Sequence, residues 1–317
     1  MKVLALSSAR REPDFSSVFQ HLGQHVELDL RVLDKQAQRD LRGTLRGIDL
    51  SRYQRILLDL HFKHICRQAG FLQSLPGLLI YEEDACQNYL HGSRWRGRFS
   101  RFYRALPNAR VVVTGADVAE QLAAEGFAVS FIPKGYDPAM IFAEAGERDI
   151  ELGFIGRTGS AAYTQRKALL EQFAANEPLQ VLRTEPGEPY RKMLNRISFF
   201  VSADVGLGEY MAKNFEAMAC GCVLLAWRQG REEEVIGLQD GHHLLLYSSI
   251  QELRGHLQRL RRDPAWAQGI ADNGRCFVEQ HVAHPQLARR LADELGKPPL
   301  PVAISAWRTL WSRLSPF

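Results

Sequence analysis

VGLGEYMAKNFEAMACGCVLLA, Val205–Ala226, is the stretch whose reading decides the fold. Gly206 and Gly208 mark a loop, Met211 to Cys220 a short helix, Gly221 a stop, and Cys222–Ala226 a buried strand. A loop that opens a helix leaves backbone N–H groups unpaired at the positive end of the helix dipole, which suits a diphosphate. Glu216, one turn into the helix, carries two acceptor oxygens able to bridge the adjacent hydroxyls of a ribose. An ion pair with Lys213, three residues earlier on the same face, is the alternative. Phe215, Met218 and Ala219 are core under either reading.

The bulk numbers frame that stretch. With 317 residues, 45% of them hydrophobic, the chain can fill two ordinary cores. No apolar run approaches the roughly 18 residues of a membrane span. The opening MKVLALSS is a strand pattern without the longer apolar region and cleavage site of a signal peptide, so a cytoplasmic protein is expected. Five cysteines, an odd number without metal-ligand spacing, predict a reducing compartment and no disulfide framework. Cys220 and Cys222 read as buried thiols.

Net charge is only +4, but it is unevenly spread. Arg94, Arg96, Arg98, Arg101 and Arg104 fall close together, interleaved with Trp95, Phe99, Phe102 and Tyr103. Such a cluster favours an anionic partner: a phosphorylated acceptor, an acidic membrane surface or nucleic acid. A solvated helix face accounts for it equally well.

In the first half, apolar runs recur between helical or loop segments: Lys2–Ser7, Val26–Val32, Arg55–Leu60, Leu78–Tyr81, Arg110–Thr114 and Val129–Ile132. Phe15 to Gly23 and Val118–Gly126 read as helices, and Arg39 to Leu50 as a surface helix or loop. Apolar strands alternating with helices predict a parallel sheet covered on both faces. Ligands of such sheets bind beyond the carboxyl ends of the strands. Past Leu60 stand His61 and His64; past Tyr81 stand Glu82, Glu83 and Asp84.

The second half repeats the pattern with strands at Ile150–Ile155, Leu179–Arg183, Ser198–Ala203, Cys222–Ala226 and Leu244–Tyr247. Gly156-Arg157-Thr158-Gly159-Ser160 follows the first of these, a turn that lets phosphate approach backbone while Arg157 supplies charge. Ser249 and Glu252 have capping-box spacing ahead of Leu253, Leu257 and Leu260. That helix stops at Asp263-Pro264, and a second runs from about Trp266 to Gln280. His242 and His243 read as turn residues.

Asn214–Cys222, NFEAMACGC, resembles the donor-binding F-E-A-M-A-x-G-x-P segment of group 1, family-four-like GT-B glycosyltransferases. Without the final proline it is similar to the branch named after spore-maturation proteins. IPKGYDPAMI, Ile132–Ile141, resembles the segment that leads out of the first GT-B domain, and Gly156-Arg157 the turn that opens the second. The similarity runs from about Ile132 to Gln280.

The resemblance implies an α/β GT-B fold: two Rossmann-like domains facing across a cleft, over 1–145 and 146–297, with 298–317 as a terminal helix. Within 298–317, Ile304, Trp307, Leu310, Trp311 and Leu314 share a face that can dock on the first domain or lie on a membrane. Donor contacts are implied at Gly156, Arg157, Lys213, Asn214 and Glu216, with Arg166 or Lys167 as a second cation. The family pairs two glutamates separated by seven residues. Here Gly208 occupies the first position and Glu209 follows one residue late.

The implied activity is transfer of a sugar from a UDP- or GDP-type nucleotide sugar to a glycan or glycolipid, as in bacterial surface polysaccharide or lipopolysaccharide core. Relatives with this segment generally retain configuration, and no metal or other cofactor is called for. If the enzyme inverts, Asp84, Glu83, Glu82 and His61 are the ranked general bases. Arg94, Arg96, Arg98 and Arg101 would meet an anionic acceptor, with peripheral contact at the cytoplasmic membrane face. A nucleotide-sugar-binding protein without transfer activity and a basic nucleic-acid-binding protein are the readings from other classes.

Overall fold

The computed structural model describes residues 1–159 and 164–301, with backbone alone at 12 and 13. The chain folds as two compact units, each built on one wholly parallel sheet. Among the described residues, the first unit comprises Met1–Val113, Ala119–Phe131 and 289–301. The second comprises Thr114–Val118 and Ile132–Ala288. The units therefore interleave along the sequence, whereas the sequence reading drew single boundaries near 145 and 297. Residues 302–317, expected as a terminal helix, lie outside the described residues.

The first sheet contains β1 (Lys2–Ser8), β2 (Glu27–Leu33), β3 (Arg55–Asp59), β4 (Leu78–Glu82), β5 (Arg110–Val113) and β6 (Val129–Phe131), in the order β2-β1-β3-β4-β5-β6. Val3 to Leu6 and Ile56 to Leu58 are wholly buried, because a central parallel strand is covered on both faces. Edge strand β2 carries Glu27, Asp29 and Arg31 instead, charges that discourage pairing with another chain. Register is continuous from Lys2↔Glu27 to Ser8↔Leu33 on one side of β1 and from Val3↔Arg55 to Ser7↔Asp59 on the other.

The second sheet contains β7 (Ile150–Ile155), β8 (Gln180–Leu182), β9 (Ile197–Ser202), β10 (Val223–Trp227) and β11 (Leu245–Tyr247), in the order β11-β10-β9-β7-β8. Its edge strand β11 is buried under the helix Ile250–Arg262, whose Leu253, Leu257 and Leu260 are fully enclosed. Each such leucine contributes about 1.5–3 kcal/mol of burial. Only half of the predicted capping box forms: Ser249 accepts from Glu252 N at 3.1 Å, while the Glu252 carboxylate reaches one residue further back and accepts from Ser248 N at 2.6 Å. Asp263 caps the next helix, Pro264–His281, accepting from Trp266 N at 2.9 Å.

Two stretches differ from the sequence reading. The charged segment 39–50 is cut at Asp40, whose carboxylate caps Gly43 N at 2.9 Å and separates the short helices Lys35–Arg39 and Leu41–Thr44. Past Gln280, where no element was expected, runs a helix, His284–Gly296, burying Leu287, Ala288, Leu291 and Leu295. Its last turn and the residues after it are tied into the first unit. Arg55 donates to Leu295 O at 2.7 Å, and Arg110 to Pro298 O at 3.1 and 3.2 Å.

Candidate functional site

Both sheets share one topology: the strand order reverses beside the first strand of each. The crevice at such a switch point, beyond the carboxyl ends of the strands, is where open α/β sheets bind ligands. In the second unit the switch lies between β7 and β9. It receives Gly156 and Arg157 after β7, and Ala203 and Asp204 after β9.

Asp204 organises this point. It is 1% exposed and accepts from Arg166 at 2.5 Å, Lys213 at 3.0 Å, and Asn214 and Ser202 at 3.1 Å each. Burial pushes its carboxyl up, but the Lys213 and Arg166 charges hold it below the ordinary aspartate value. Burial also pushes Lys213 down, against the raising influence of Asp204. Of the two cations on the helix Thr164–Ala174, Arg166 turns inward; besides Asp204 it donates to the Ala203 and Arg157 carbonyls. Lys167 stays exposed beside Glu171. Arg166 is thus a buried strut behind the loop, and Arg157 is exposed at the loop itself.

The opening stretch folds as read. Gly206 and Gly208 hold φ of +73° and +68°, which only glycine adopts without strain, and they turn the chain into the helix Ala212–Ala219. Its N-cap Met211 offers no side-chain acceptor, so the first-turn amides keep their anion-binding capacity. Phe215, Met218 and Ala219 are buried. Glu216, half-buried one turn later, accepts from Tyr190 Oη at 2.7 Å. The tyrosine, whose pKa is raised far above its ordinary value by burial and the Glu216 charge, stays protonated and fixes the carboxylate. Gly208 N donates to Gln229 Oε1 at 3.1 Å, and Gln229 Nε2 to Asp204 O at 2.8 Å, which sets the loop.

Glu209 is 3% exposed and accepts from Lys134 at 2.9 Å and Thr114 at 3.1 Å. Nearby Glu232 accepts from Ala116 N at 2.6 Å, and burial raises its pKa to about 8. Both carboxylates hold Thr114–Val118 to the second unit. Cys220 and Cys222 are buried, unreactive thiols, with Cys222 pushed up to about 11 by burial.

In the first unit the switch lies between β1 and β3. Here the buried group is a cation. Arg11 stands 2.9 Å from Asp59, 3.6 Å from Glu82, 3.8 Å from Glu83 and 3.9 Å from Asp84. Glu82 is 1% exposed, accepts from Asp84 N at 2.9 Å, and is pushed up to about 8 by burial. Its carboxyl keeps a proton over much of the neutral range. Asp84 has the most exposed side chain of the three sequence-ranked carboxylates, at 52%. Burial, Arg11 and Lys63 push His61 down to about 4, so its imidazole is neutral at pH 7.

The arginine–aromatic cluster separates into two faces. Phe99, Phe102 and Tyr103 are buried, Phe99 stacking on Phe62 at 3.7 Å, so these rings are core and offer no face for base stacking. Arg94 and Arg98 flank Trp95 at 4.8 and 5.5 Å from its ring centre. Arg96 faces His91, and Arg101 is exposed. Sequence reasoning missed Asp204, Tyr190, Arg11 and Asp59. A lone charge immediately after a buried strand was the available signal for Asp204.

Residues 164–293 match the family model described as glycosyl transferase-like. No curated protein matches the sequence. Among solved structures, Alr3699/HepE of Anabaena in complex with UDP and glucose superposes with a TM-score of 0.69 at 13% identity, covering 94% of this chain and 100% of that one. Sucrose-phosphate synthase from Thermosynechococcus elongatus gives 0.66 at 14% identity, over 99% and 100%. A glycosyltransferase from Rickettsia africae gives 0.62 at 11%, over 93% and 98%. No helix among the described residues is long and apolar enough to cross a membrane. The chain has the GT-B fold, and its segment 164–293 is glycosyl transferase-like in sequence.

Proposed function

We propose that this protein is a glycosyltransferase that moves a sugar, most simply a hexose, from a UDP- or GDP-type donor to a glycan or glycolipid. The observation that carries the reading is the uncapped N-terminus of the helix Ala212–Ala219, with Glu216 one turn along and Arg157 across the β7–β9 switch point. First-turn amides and Arg157 take the diphosphate, and Glu216, held by Tyr190, takes the ribose hydroxyls. The match of segment 164–293 to a glycosyl transferase-like family model supports this, as does a fold neighbour solved with UDP and glucose.

In the reaction the bond from the anomeric carbon to the diphosphate oxygen breaks, and one to the acceptor hydroxyl oxygen forms. The hydroxyl proton leaves on the nucleoside diphosphate in a retaining reaction, or on a carboxylate such as Asp84 in an inverting one. Retention is our reading, resting on the similarity of NFEAMACGC to retaining relatives. Arg157 and the helix amides stabilise the charge developing on the leaving group. Those donors supply the countercharge that a metal supplies elsewhere, so turnover is expected to survive chelator.

Thermal unfolding with and without UDP or GDP tests the reading. A ligand that binds only the folded state raises the midpoint as its saturation grows. Glu216→Ala should remove most of the shift, and Asp84→Ala should leave it in place. A nucleoside-diphosphate shift that persists in full in Glu216→Ala would refute the assignment. Binding without release of nucleoside diphosphate from any sugar donor would favour the binding-protein alternative.

A further inference from the structure

Next to the β1–β3 switch point the first unit carries two adjoining cavities of about 230 and 350 Å³, and no carboxylate lines either one. Arg10, Lys35, Arg39 and Lys63 line the first; Arg39, Lys63, Arg94 and Arg98 line the second. None of these six cations has an ion-pair partner among the described residues. Among the described residues the side chains of Arg94 and Arg98 lie against the Trp95 ring.

The floor is built rather than incidental. Gln38, 2% exposed, donates to Ser8 Oγ at 2.9 Å and to Leu33 O at 3.0 Å, and accepts from His61 N at 3.3 Å. One side chain thereby fastens the ends of β1, β2 and β3. His64 lines both cavities while 8% exposed, and its Nδ1 has no hydrogen-bond partner. Burial and the charges of Lys63, Arg39, Lys35 and Arg10 all lower its pKa, which reports the positive potential of the basin.

We propose that this basin holds the phosphoryl groups of the acceptor, which is therefore a phosphorylated molecule. The proposal rests on the glycosyl-transfer reading and names its substrate class. Six unpaired cations around one hollow repel each other, and an anion of multiple charge relieves that repulsion. A hollow favours a compact phosphate or diphosphate ester over a flat bilayer surface, which would meet cations on a projecting face. With Phe99, Phe102 and Tyr103 in the core, Trp95 alone supplies an indole or phenyl face to the lining of the second cavity, where single-stranded nucleic acid uses a succession of ring faces.

The test uses the full chain saturated with UDP, so that its donor site is filled, and inorganic pyrophosphate as the titrant in calorimetry. Wild-type protein should bind pyrophosphate, and the double variant Arg39→Ser/Lys63→Ser should bind at least about tenfold more weakly, with UDP affinity unchanged. Arg52→Ser, at an exposed arginine outside the basin, should change neither. Equal pyrophosphate affinity in the double variant, or none in wild type, would overturn the proposal. So would binding to phosphatidylglycerol vesicles that the double variant loses and pyrophosphate does not compete, since that assigns the charge to a membrane surface. If pyrophosphate does compete with vesicles, the phosphoryl group is one a lipid can carry; if vesicles do not bind, it belongs to a soluble acceptor. Failure of wild-type protein to bind UDP strikes the donor reading instead, and leaves the comparison of wild type with the double variant readable by itself.

Discussion

The two units place opposite charges at equivalent points of the same topology. At the β7–β9 switch a buried carboxylate, Asp204, is ringed by Arg166, Lys213 and Asn214. At the β1–β3 switch a buried guanidinium, Arg11, is ringed by Asp59 and the carboxylates Glu82–Asp84. Topology fixes where a crevice forms, and the side chains at the strand ends fix its sign. Cations outnumber the anion in the second unit, and the exposed Arg157 adds to them. In the first, the acidic ring surrounds its own arginine, and the unpaired cations lie alongside.

The sharpest way to break the comparison is to delete each central charge. Asp204→Ala leaves Arg166 and Lys213 buried without a counter-ion and should cost about 3–5 kcal/mol of stability in urea unfolding at pH 7. Arg11→Met should cost somewhat less, roughly 3 kcal/mol, because Glu82 already carries a proton over much of the neutral range. Acid distinguishes them: lowering the pH towards 5 should recover part of the Arg11→Met loss and none of the Asp204→Ala loss. Equal recovery in both would show that the two points are not electrostatic opposites.

A subtler test concerns Glu82 alone. Its pKa rises from the ordinary 4.5 to about 8 in the folded protein. Between those values the unfolded chain releases a proton that the folded chain keeps, so stability should fall as pH rises through that window. Glu82→Gln, which keeps an acceptor for Asp84 N, should flatten the fall in calorimetric midpoint. Asp204 carries the opposite sign. Its depressed pKa gives stability that is present above the ordinary value of 3.8 and lost as pH falls through the folded value. The smallest effect is expected of Tyr190→Phe, which loses one hydrogen bond to Glu216, about 1 kcal/mol or some fivefold in UDP affinity.

The strands and the helix Ala212–Ala219 were legible because burial on both faces writes continuous apolar runs into the sequence, and glycine marks their ends. Ser249 announced an N-cap for the same local reason. What was not legible is long-range. Asp204 meets Arg166 across 38 residues and Arg11 meets Asp59 across 48, and no spacing rule links such pairs. Glu209 read as a carboxylate one place late for the donor, yet Lys134 and Thr114, distant in sequence, engage it. The helix His284–Gly296 could have been found, since Leu287, Leu291 and Leu295 recur every fourth residue.

The interleaving of the units along the chain governs how the protein can be dissected. A fragment starting near 146 would contain the whole second sheet but lack Thr114, Ala116 N and Lys134. Glu209 and Glu232 would then be stripped of the donors that justify their burial. Such a half-molecule should aggregate or refuse to fold, and a soluble second unit calls for a circularly permuted or grafted chain that carries the 114–118 staple with it.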